Sequence, residues 1–268
     1  MALWEYPYGS PIDLDVEITA GTIAITGAQT DTITVRTGPP GSGTWPDPAG
    51  DLDVTFDAGH LTVAEPRGAG GWRLRSGQVV LAITVPAGSR CTLRTTAADI
   101  GCEGELGSLD AQTSAGSVSA AVVRGRVRVR TATGQIKVDE VSGEVSAHTA
   151  SGRIRIGHAA GDITTTSASG EIQIGSADAS VSARTATGRV RISSVARGQA
   201  NVTTASGDID VAVARGTGVY LDLSSATGRV SSDLEPSLQH NGADLHLTCR
   251  TVTGALRVVS AEYAGAAR

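Results

Sequence analysis

Aromatic side chains are scarce in this sequence. Its 268 residues include one Phe and one Met, and aromatic residues make up 3% of the chain. Wide cores are usually filled by large side chains, so this scarcity predicts a narrow core of small aliphatic residues. Glycine is abundant, with 34 copies, which favours a chain that turns often.

Long apolar runs and an excess of positive charge are also absent. No run approaches the roughly 20 apolar residues that cross a bilayer, so we expect no membrane span. Residues 1–6 lack the basic and apolar regions of a secretory signal, and we expect a cytoplasmic protein. The net charge of −5 and the pI of about 5.5 favour neither nucleic acid nor an anionic membrane as a partner.

Cysteine and histidine are few and show no spacing typical of a metal site. The cysteines at 91, 102 and 249 are expected to be buried free thiols, with a pairing of Cys91 and Cys102 left open. His60, His240 and His246 are scattered and form no HxH or HExxH motif. Phosphate-binding glycine motifs ahead of a helix are absent as well. We therefore expect no metal and no cofactor.

One eight-residue pattern, Thr-Ala-(Ser/Thr)-Gly-x-(Ile/Val)-x-(Ile/Val), recurs through residues 113–230. Its glycines at 116, 134, 152, 170 and 188 are 18 residues apart, and the spacing then loosens through 207 and 228 to 254. A weaker copy begins nine residues later, at Gly125, Gly143 and Gly161. A fixed period of this length indicates a stack of identical units.

Each half-repeat alternates polar and apolar residues, as strands with one buried face do. Helices are excluded, because a glycine every nine residues would cost a helix about 1 kcal/mol each time. The sequence predicts an all-β fold: a flattened parallel β-solenoid (β-helix) of about 18 residues per coil with an N-terminal β cap. Val127 and Ile136 represent the positions expected to face inward. Ala132 represents a corner position where we expect only a methyl group to fit.

The first third of the chain alternates without the 18-residue period. We predict that residues 1–90 form a β-strand cap and that residues 91–268 form the solenoid of TA(S/T)Gx(I/V)x(I/V) repeats. A solenoid needs such a cap, because an unpaired strand edge invites association between chains. The strands at 245–249 and 255–259 are expected to form the terminal coil.

Two shorter segments accompany the repeat: Val-Pro-Ala-Gly at 85–88 and Ala-Gly-Thr-Ile-Ala-Ile at 20–25. With them, the chain resembles the bacterial DUF4097/DUF4098 β-strand-repeat family over nearly its whole length. Members of that family are often labelled adhesins, and some look like envelope or surface proteins. The resemblance implies the solenoid fold and brings no catalytic motif with it.

Stacked coils convert a repeat position into a column of side chains. One outward column alternates in charge, and its opposite neighbours stabilise the stack by roughly 0.2–1 kcal/mol per pair. Its members are Gln135, Arg153, Glu171, Arg189, Asp208 and Arg229. Either the column only fixes register, or Arg153, Arg155, Arg189 and Arg191 form a patch that grips a carboxylate or phosphate.

Other candidate binding residues lie on strands and in one loop. Arg126, Arg128 and Arg130 place charge on a single strand and are the best candidate docking spot in an acidic chain. Trp4, Tyr6 and Tyr8 would share one face of the first strand, where they either pack the cap or bind a partner. Trp72 lies in a basic, glycine-rich loop.

The nearest approach to a catalytic group is the set Glu144, His148, His158 and Asp162. Asp162 should stack near Glu144, and two adjacent carboxylates can raise the pKa of one of them for acid–base work. Whether the protein is an enzyme is left uncertain, with no catalysis as the favoured reading.

Three functions remain open from sequence alone. The main hypothesis is a non-catalytic scaffold whose charged columns bind a protein partner, or the chain itself through its cap or terminal coil. The alternatives are an enzyme acting on a small molecule or peptide in a surface groove, and an envelope or adhesin-type binder.

Overall fold

The structure is a computed structural model that describes residues 2–38, 52–65, 79–234 and 244–261. Every regular element within these ranges is a strand, and none is a helix. The chain divides into two compact units, residues 1–140 and 141–268. The predicted boundary near residue 90 stays a prediction.

The strands of the first unit are β1 (Ala2–Pro7), β2 (Asp13–Ala28), β3 (Thr32–Thr37), β4 (Asp53–Asp57), β5 (His60–Ala64), β6 (Val79–Pro86), β7 (Arg90–Leu106), β8 (Ser108–Ala115), β9 (Val118–Val123), β10 (Val127–Thr133) and β11 (Ile136–Val141). β2 and β7 are long because each supplies a strand to both sheets of the coil. They pair in parallel along their length. The first half of β7 then pairs with β8 and the second half with β9.

Antiparallel strands close the N-terminal end of this parallel stack. β1 pairs with β3 and β3 with β6, while β4 pairs with β5. β5 and β6 in turn pair in parallel with the two halves of β2. The rings of Tyr6 and Tyr8 pack on Phe56 of β4, with centroids 5.1 and 5.3 Å apart. The predicted all-β parallel solenoid with an N-terminal β cap is confirmed.

The strands of the second unit are β12 (Val145–Ser151), β13 (Ile154–Ala159), β14 (Ile163–Ser169), β15 (Ile172–Ala177), β16 (Val181–Thr187), β17 (Val190–Val195), β18 (Gly198–Ser206), β19 (Ile209–Val213), β20 (Val219–Ser225), β21 (Val230–Ser232), β22 (Leu245–Thr253) and β23 (Leu256–Ser260). Even-numbered strands from β12 to β18 stack in parallel as one sheet. Odd-numbered strands from β13 to β19 form the other.

Stacking order departs from chain order at the C-terminal end. β22 lies between β18 and β20, and β23 lies between β19 and β21. The expectation that residues 245–259 form the terminal coil is therefore wrong, because β20 and β21 lie outside them. Gly254, with φ of 141°, continues the glycine corner directly above Gly207, whose carbonyl oxygen a Cβ at 254 would meet at 2.1 Å.

The core contains the aliphatic columns expected from the repeat. Val127 and Ile136 are fully buried, as are the equivalent residues of the second unit such as Ile154 and Ile172. The corner position differs from expectation, because Ala132 is exposed and Thr131 before it is buried. Strict alternation from Val127 inward explains the difference: 127, 129 and 131 share one face of β10, and 132 points outward.

Candidate functional site

Three arginines form a line on the outer surface of the first unit. Arg128 and Arg130 lie on β10, and Arg126 directly precedes it; they alternate with the buried residues Val127 and Val129. Arg126 and Arg130 are exposed, and Arg128 is half-buried. Alternate residues of a strand point the same way and are about 6.6 Å apart along a parallel strand. We call Arg126, Arg128 and Arg130 the arginine row.

The neighbouring strands set the electrostatic surroundings of the row. In register, Arg128 lies beside Asp110 of β8, which lies beside Thr92 of β7. Arg130 lies beside Gln112 of β8, and Gln112 beside Arg94 of β7. We call these outward side chains of β7, β8 and β10 the charged face.

Most charges near the arginine row already have partners. Arg90 Nε lies 3.6 Å from Asp13 Oδ1. Arg124 Nη2 donates to Glu105 Oε2 at 3.0 Å, and this hydrogen bond holds the pKa of Glu105 below its usual range. The positive charge of Arg124 is therefore balanced by the carboxylate of Glu105.

Arg94, Arg128 and Arg130 differ, because they form no ion pair or hydrogen bond with any residue that the structure describes. Arg128 Nε and the nearby Asp110 Oδ1 are both shielded from solvent without a described hydrogen-bond partner. The charged face thus carries positive charge that the described part of the first unit does not compensate.

A groove of about 930 Å³ runs beside the arginine row. Its polar lining includes Arg90, Arg126, Arg128 and Asp110, and Tyr8 borders it. The corner glycines 59, 88, 107 and 125 line it too. A Cβ at Gly107 would lie 2.1 Å from the carbonyl oxygen of Gly88, so close packing of successive corners requires glycine there. The same packing leaves the corner without side chains, which keeps the groove open.

The predicted aromatic residues are only partly brought to this groove. Trp4, Tyr6 and Tyr8 are half-buried while Leu3 and Glu5 are exposed, so the trio shares one face as expected. Tyr6 and Tyr8 contact Phe56 of the cap, and Tyr8 also borders the groove. Trp72 lies outside the described residues.

The alternating column of the second unit is internally paired. Arg153 Nη2 lies 3.1 Å from Glu171 Oε2, and Arg189 Nη2 lies 2.8 Å from Asp208 Oδ2. Arg191 Nη2 is 3.7 Å from Asp210 Oδ2. Arg155 forms no ion pair with the described residues of its unit.

The end of this column differs from the sequence expectation. Arg229 lies over Ala255 rather than Asp208, because β23 separates β19 from β21.

The predicted catalytic residues do not form one cluster, and those with described contacts each have a different partner. His148 Nε2 lies 3.2 Å from Ser146 Oγ on β12. Val145 and Ile163 pair in register, so Glu144 and Asp162 before them are neighbours on adjacent coils. Asp162 Oδ1 accepts the backbone N–H of Ser180 at 3.1 Å. His158 lies on β13, a strand of the other sheet.

His158 contacts two residues that the sequence reading missed. Its Nδ1 lies 2.7 Å from Ser176 Oγ, and its Nε2 lies 3.7 Å from Asp178 Oδ2. Ser176 is one period of 18 residues after His158 and pairs with it in register. The 18-residue period could therefore have predicted from the sequence that Ser176 lies beside His158. The order hydroxyl, imidazole, carboxylate is that of a serine nucleophile with its base, although the side chains of His158 and Asp178 are 43% and 46% exposed.

Neither a metal site nor a membrane-crossing helix is found in the described ranges. No three side chains of His, Cys, Asp or Glu there are grouped as metal ligands would be. None of the described elements is a helix that could span a bilayer.

Comparisons with known proteins concern the whole chain. Among curated proteins, none matches it. It is similar to a solved "putative adhesin" from Bacteroides fragilis, with 12% identity, 96% of each chain covered and a TM-score of 0.49. It is also similar to a "putative cell adhesion protein" from Clostridium sporogenes, with 11% identity, coverage of 97% of this chain and 99% of that one, and a TM-score of 0.27.

A family model described as Toastrack DUF4097 matches residues 12–249. That range contains all the regular repeats and the parallel coils β2 to β19. The family resemblance seen in the repeat units is confirmed, and the chain belongs to the Toastrack DUF4097 family.

Proposed function

We propose that this protein is a non-catalytic β-solenoid scaffold that binds a protein partner through the arginine row. The observation that carries the proposal is the uncompensated charge of Arg94, Arg128 and Arg130 on one face of an acidic chain. Hydrogen-bonded neighbouring strands hold the backbone of these residues in place, which limits the entropy lost when a partner binds.

Within the arginine row, Arg128 and Arg130 repel each other as long as no carboxylate binds them. Two like charges about 6.6 Å apart repel by roughly 0.6 kcal/mol in water and by about 2.5 kcal/mol at an effective dielectric constant of about 20. Arg128 is half-buried, so its repulsion is less screened than that of a fully exposed residue. Carboxylates supplied by a partner would remove this repulsion and form charge-assisted hydrogen bonds.

Three outward arginines of the second unit, unlike Arg128 and Arg130, are paired with carboxylates, which supports the choice of the first unit. Arg153, Arg189 and Arg191 each lie within 4 Å of a carboxylate, as expected of a column that fixes register. A partner would have to displace those carboxylates. The patch of Arg153, Arg155, Arg189 and Arg191 is therefore the weaker docking proposal.

Charge reversal combined with affinity capture tests this function. The double variant Arg128→Glu/Arg130→Glu should lose a partner that the wild-type chain captures. Arg155 on β13 and Arg184 on β16 are both exposed, so the variant Arg155→Glu/Arg184→Glu makes the same change in charge on the second unit and should retain the partner. Equal capture by all three proteins would overturn the proposal.

A second candidate function is hydrolysis of an ester by Ser176. The favouring observation is its 2.7 Å contact with His158 Nδ1, close enough for His158 to take the hydroxyl proton. Turnover of a p-nitrophenyl ester that disappears in Ser176→Ala would support it. Equal turnover by wild type and Ser176→Ala would exclude it.

Self-association through the coil of β20 and β21, the outermost among the described residues, is a further binding proposal. Tyr220 of β20 is 61% exposed and Val230 of β21 is 43% exposed. Large apolar side chains at a sheet edge favour contact with another chain. A mass measured by sedimentation that falls to the monomer value in Tyr220→Lys would support it, and a monomeric wild type would not.

A further inference from the structure

We infer that the arginine row binds an extended acidic segment of the partner protein, with carboxylates at alternate residues. This inference rests on the proposed function and adds the chemistry and conformation of the partner. It depends on the spacing of the three arginines, on Asp110 beside Arg128 and on the groove at the glycine corner.

The spacing selects the direction of the bound segment. Alternate side chains of an extended chain are about 6.6 Å apart, which is also the spacing of Arg126, Arg128 and Arg130 along β10. Across the strands the steps are about 4.8 Å. In that direction Arg130 and Arg94 are two steps apart, with the neutral Gln112 between them. Only a segment parallel to β10 can therefore place every second side chain on an arginine.

The width of the site favours an extended segment over a helix. A helix with carboxylates four residues apart has a similar spacing of about 6 Å, but it is about 10 Å wide. It would cover both β10 and β8, and its acidic side chains would approach Asp110 beside Arg128. An extended segment occupies one strand width of about 4.8 Å and can follow β10 without covering Asp110.

The groove provides a path for the segment beyond Arg126. The corner glycines Gly107 and Gly125 have no side chains to obstruct a backbone, and Arg126 and Arg128 line the same groove. Tyr8 borders the groove and offers an aromatic ring to an apolar residue of the segment. The preferred ligand is thus an acidic strand with an apolar residue at one end.

Peptides with the same number of Glu residues in different arrangements test the inference on the full chain. We would measure fluorescence anisotropy with a labelled peptide of alternating Glu and Thr, a peptide with its Glu residues in one block, and a helical peptide with Glu every fourth residue. The alternating peptide should bind at least about tenfold more tightly than the other two at low salt. Its affinity should fall as salt rises, because the contact is ionic.

Variants of the protein distinguish binding by the arginine row from non-specific electrostatic binding to the rest of the surface. Arg128→Glu/Arg130→Glu should lose the alternating Glu peptide and gain affinity for the same peptide made with Lys. Arg155→Glu/Arg184→Glu should bind like wild type. If the double charge reversal does not fold, as judged by circular dichroism, Arg128→Gln/Arg130→Gln replaces it and should still lose the Glu peptide.

The outcomes distinguish the inference from the proposed function. Equal binding of the three peptides, tighter binding of the helical one, or binding of a sulfated oligosaccharide in place of every peptide would overturn the inference. If partner capture is still lost in Arg128→Glu/Arg130→Glu, the proposed function survives that result. If Arg128→Glu/Arg130→Glu changes neither peptide binding nor partner capture, both the inference and the proposed function are overturned.

Discussion

Asp208 Oδ2 accepts a hydrogen bond from Arg189 Nη2 at 2.8 Å, while its Oδ1 accepts the backbone N–H of Ala255 at 2.9 Å. One carboxylate therefore joins the residues that directly precede three adjacent strands, β17, β19 and β23. The hydrogen bond from Arg189, followed by that from Ala255, lowers the pKa of Asp208. Asp208 thus connects the coil inserted out of chain order to the regular stack.

Removing this carboxylate should destabilise the second unit in a pH-dependent way. We expect Asp208→Ala to cost about 1 kcal/mol at pH 7, because both hydrogen bonds are lost. The pKa is lower in the folded protein, so the stabilisation is present above the unfolded pKa of about 4 and is lost as pH falls below it. Urea unfolding at pH 7 and pH 2.5 measures this difference.

Asp233 provides the control for Asp208. It pairs with Arg257 at 3.4 Å, but both side chains are more than 60% exposed. Asp233→Ala should change stability by no more than a few tenths of a kcal/mol, as exposed ion pairs do. A loss of stability at Asp208 equal to that at Asp233, or one unchanged by pH, would contradict the role given to Asp208.

Glycine at the corner should be irreplaceable by alanine. Gly134 has φ of 146°, and a Cβ there would lie 2.0 Å from the carbonyl oxygen of Gly116. Gly134→Ala should therefore cost at least about 2 kcal/mol through backbone strain and overlap. At Gly101 the nearest atom would be 3.8 Å away, so Gly101→Ala should be tolerated. Thermal unfolding of both variants checks this, and similar midpoints would count against the packing described.

The loss of stability on removing a buried hydroxyl group should depend on whether that group forms a hydrogen bond. Thr204 Oγ1 is buried without a hydrogen-bond partner among the described residues, whereas Thr131 Oγ1 donates to the carbonyl oxygen of Thr133 at 3.1 Å. Thr204→Val should be neutral or stabilising, and Thr131→Val should cost about 1 kcal/mol. Chemical denaturation of the two variants measures the difference. A larger loss at Thr204 would show that its hydroxyl is satisfied.

All three cysteines should resist modification in the folded protein. Burial raises the pKa of Cys102 and of Cys249 to about 12, and burial also raises that of Cys91. At pH 8 each thiol stays protonated, so iodoacetamide should label none until the chain unfolds. Because the folded pKa values are raised, stability should fall as pH rises above about 9. Mass spectrometry measures the labelling, and rapid labelling of the folded chain would contradict the burial of the three thiols.

The repeat allowed most of the fold to be predicted. Val127 and Ile136 follow from alternation, and their burial depends only on local pattern and period. The insertion of β22 between β18 and β20 could not be predicted, because the repeat at 225–228 matches the corner motif as well as the one at 251–254 does. Which coil docks first is decided by contacts such as Asp208 with Ala255, which no periodicity encodes.

The candidate site was predicted only in part. Alternation along one strand was enough to predict that Arg126, Arg128 and Arg130 share an outward face, and their role in binding stays a prediction. The groove requires the distant corner residues Gly59 and Gly88 and the cap residue Tyr8, whose approach depends on tertiary packing. Ser176 was missed, although it lies one period after His158, because a single serine in a repeat rich in serine carries little signal.

The placement of β22 and β23 has a consequence for how the protein is made. As the chain leaves the ribosome, the coil of β18 and β19 is complete before its permanent neighbour has been synthesised. β20 and β21 gain their native neighbours only when residues 245–260 have arrived. A chain stopped at residue 243 would therefore lose the contribution of two coils, although only one would be missing from its sequence.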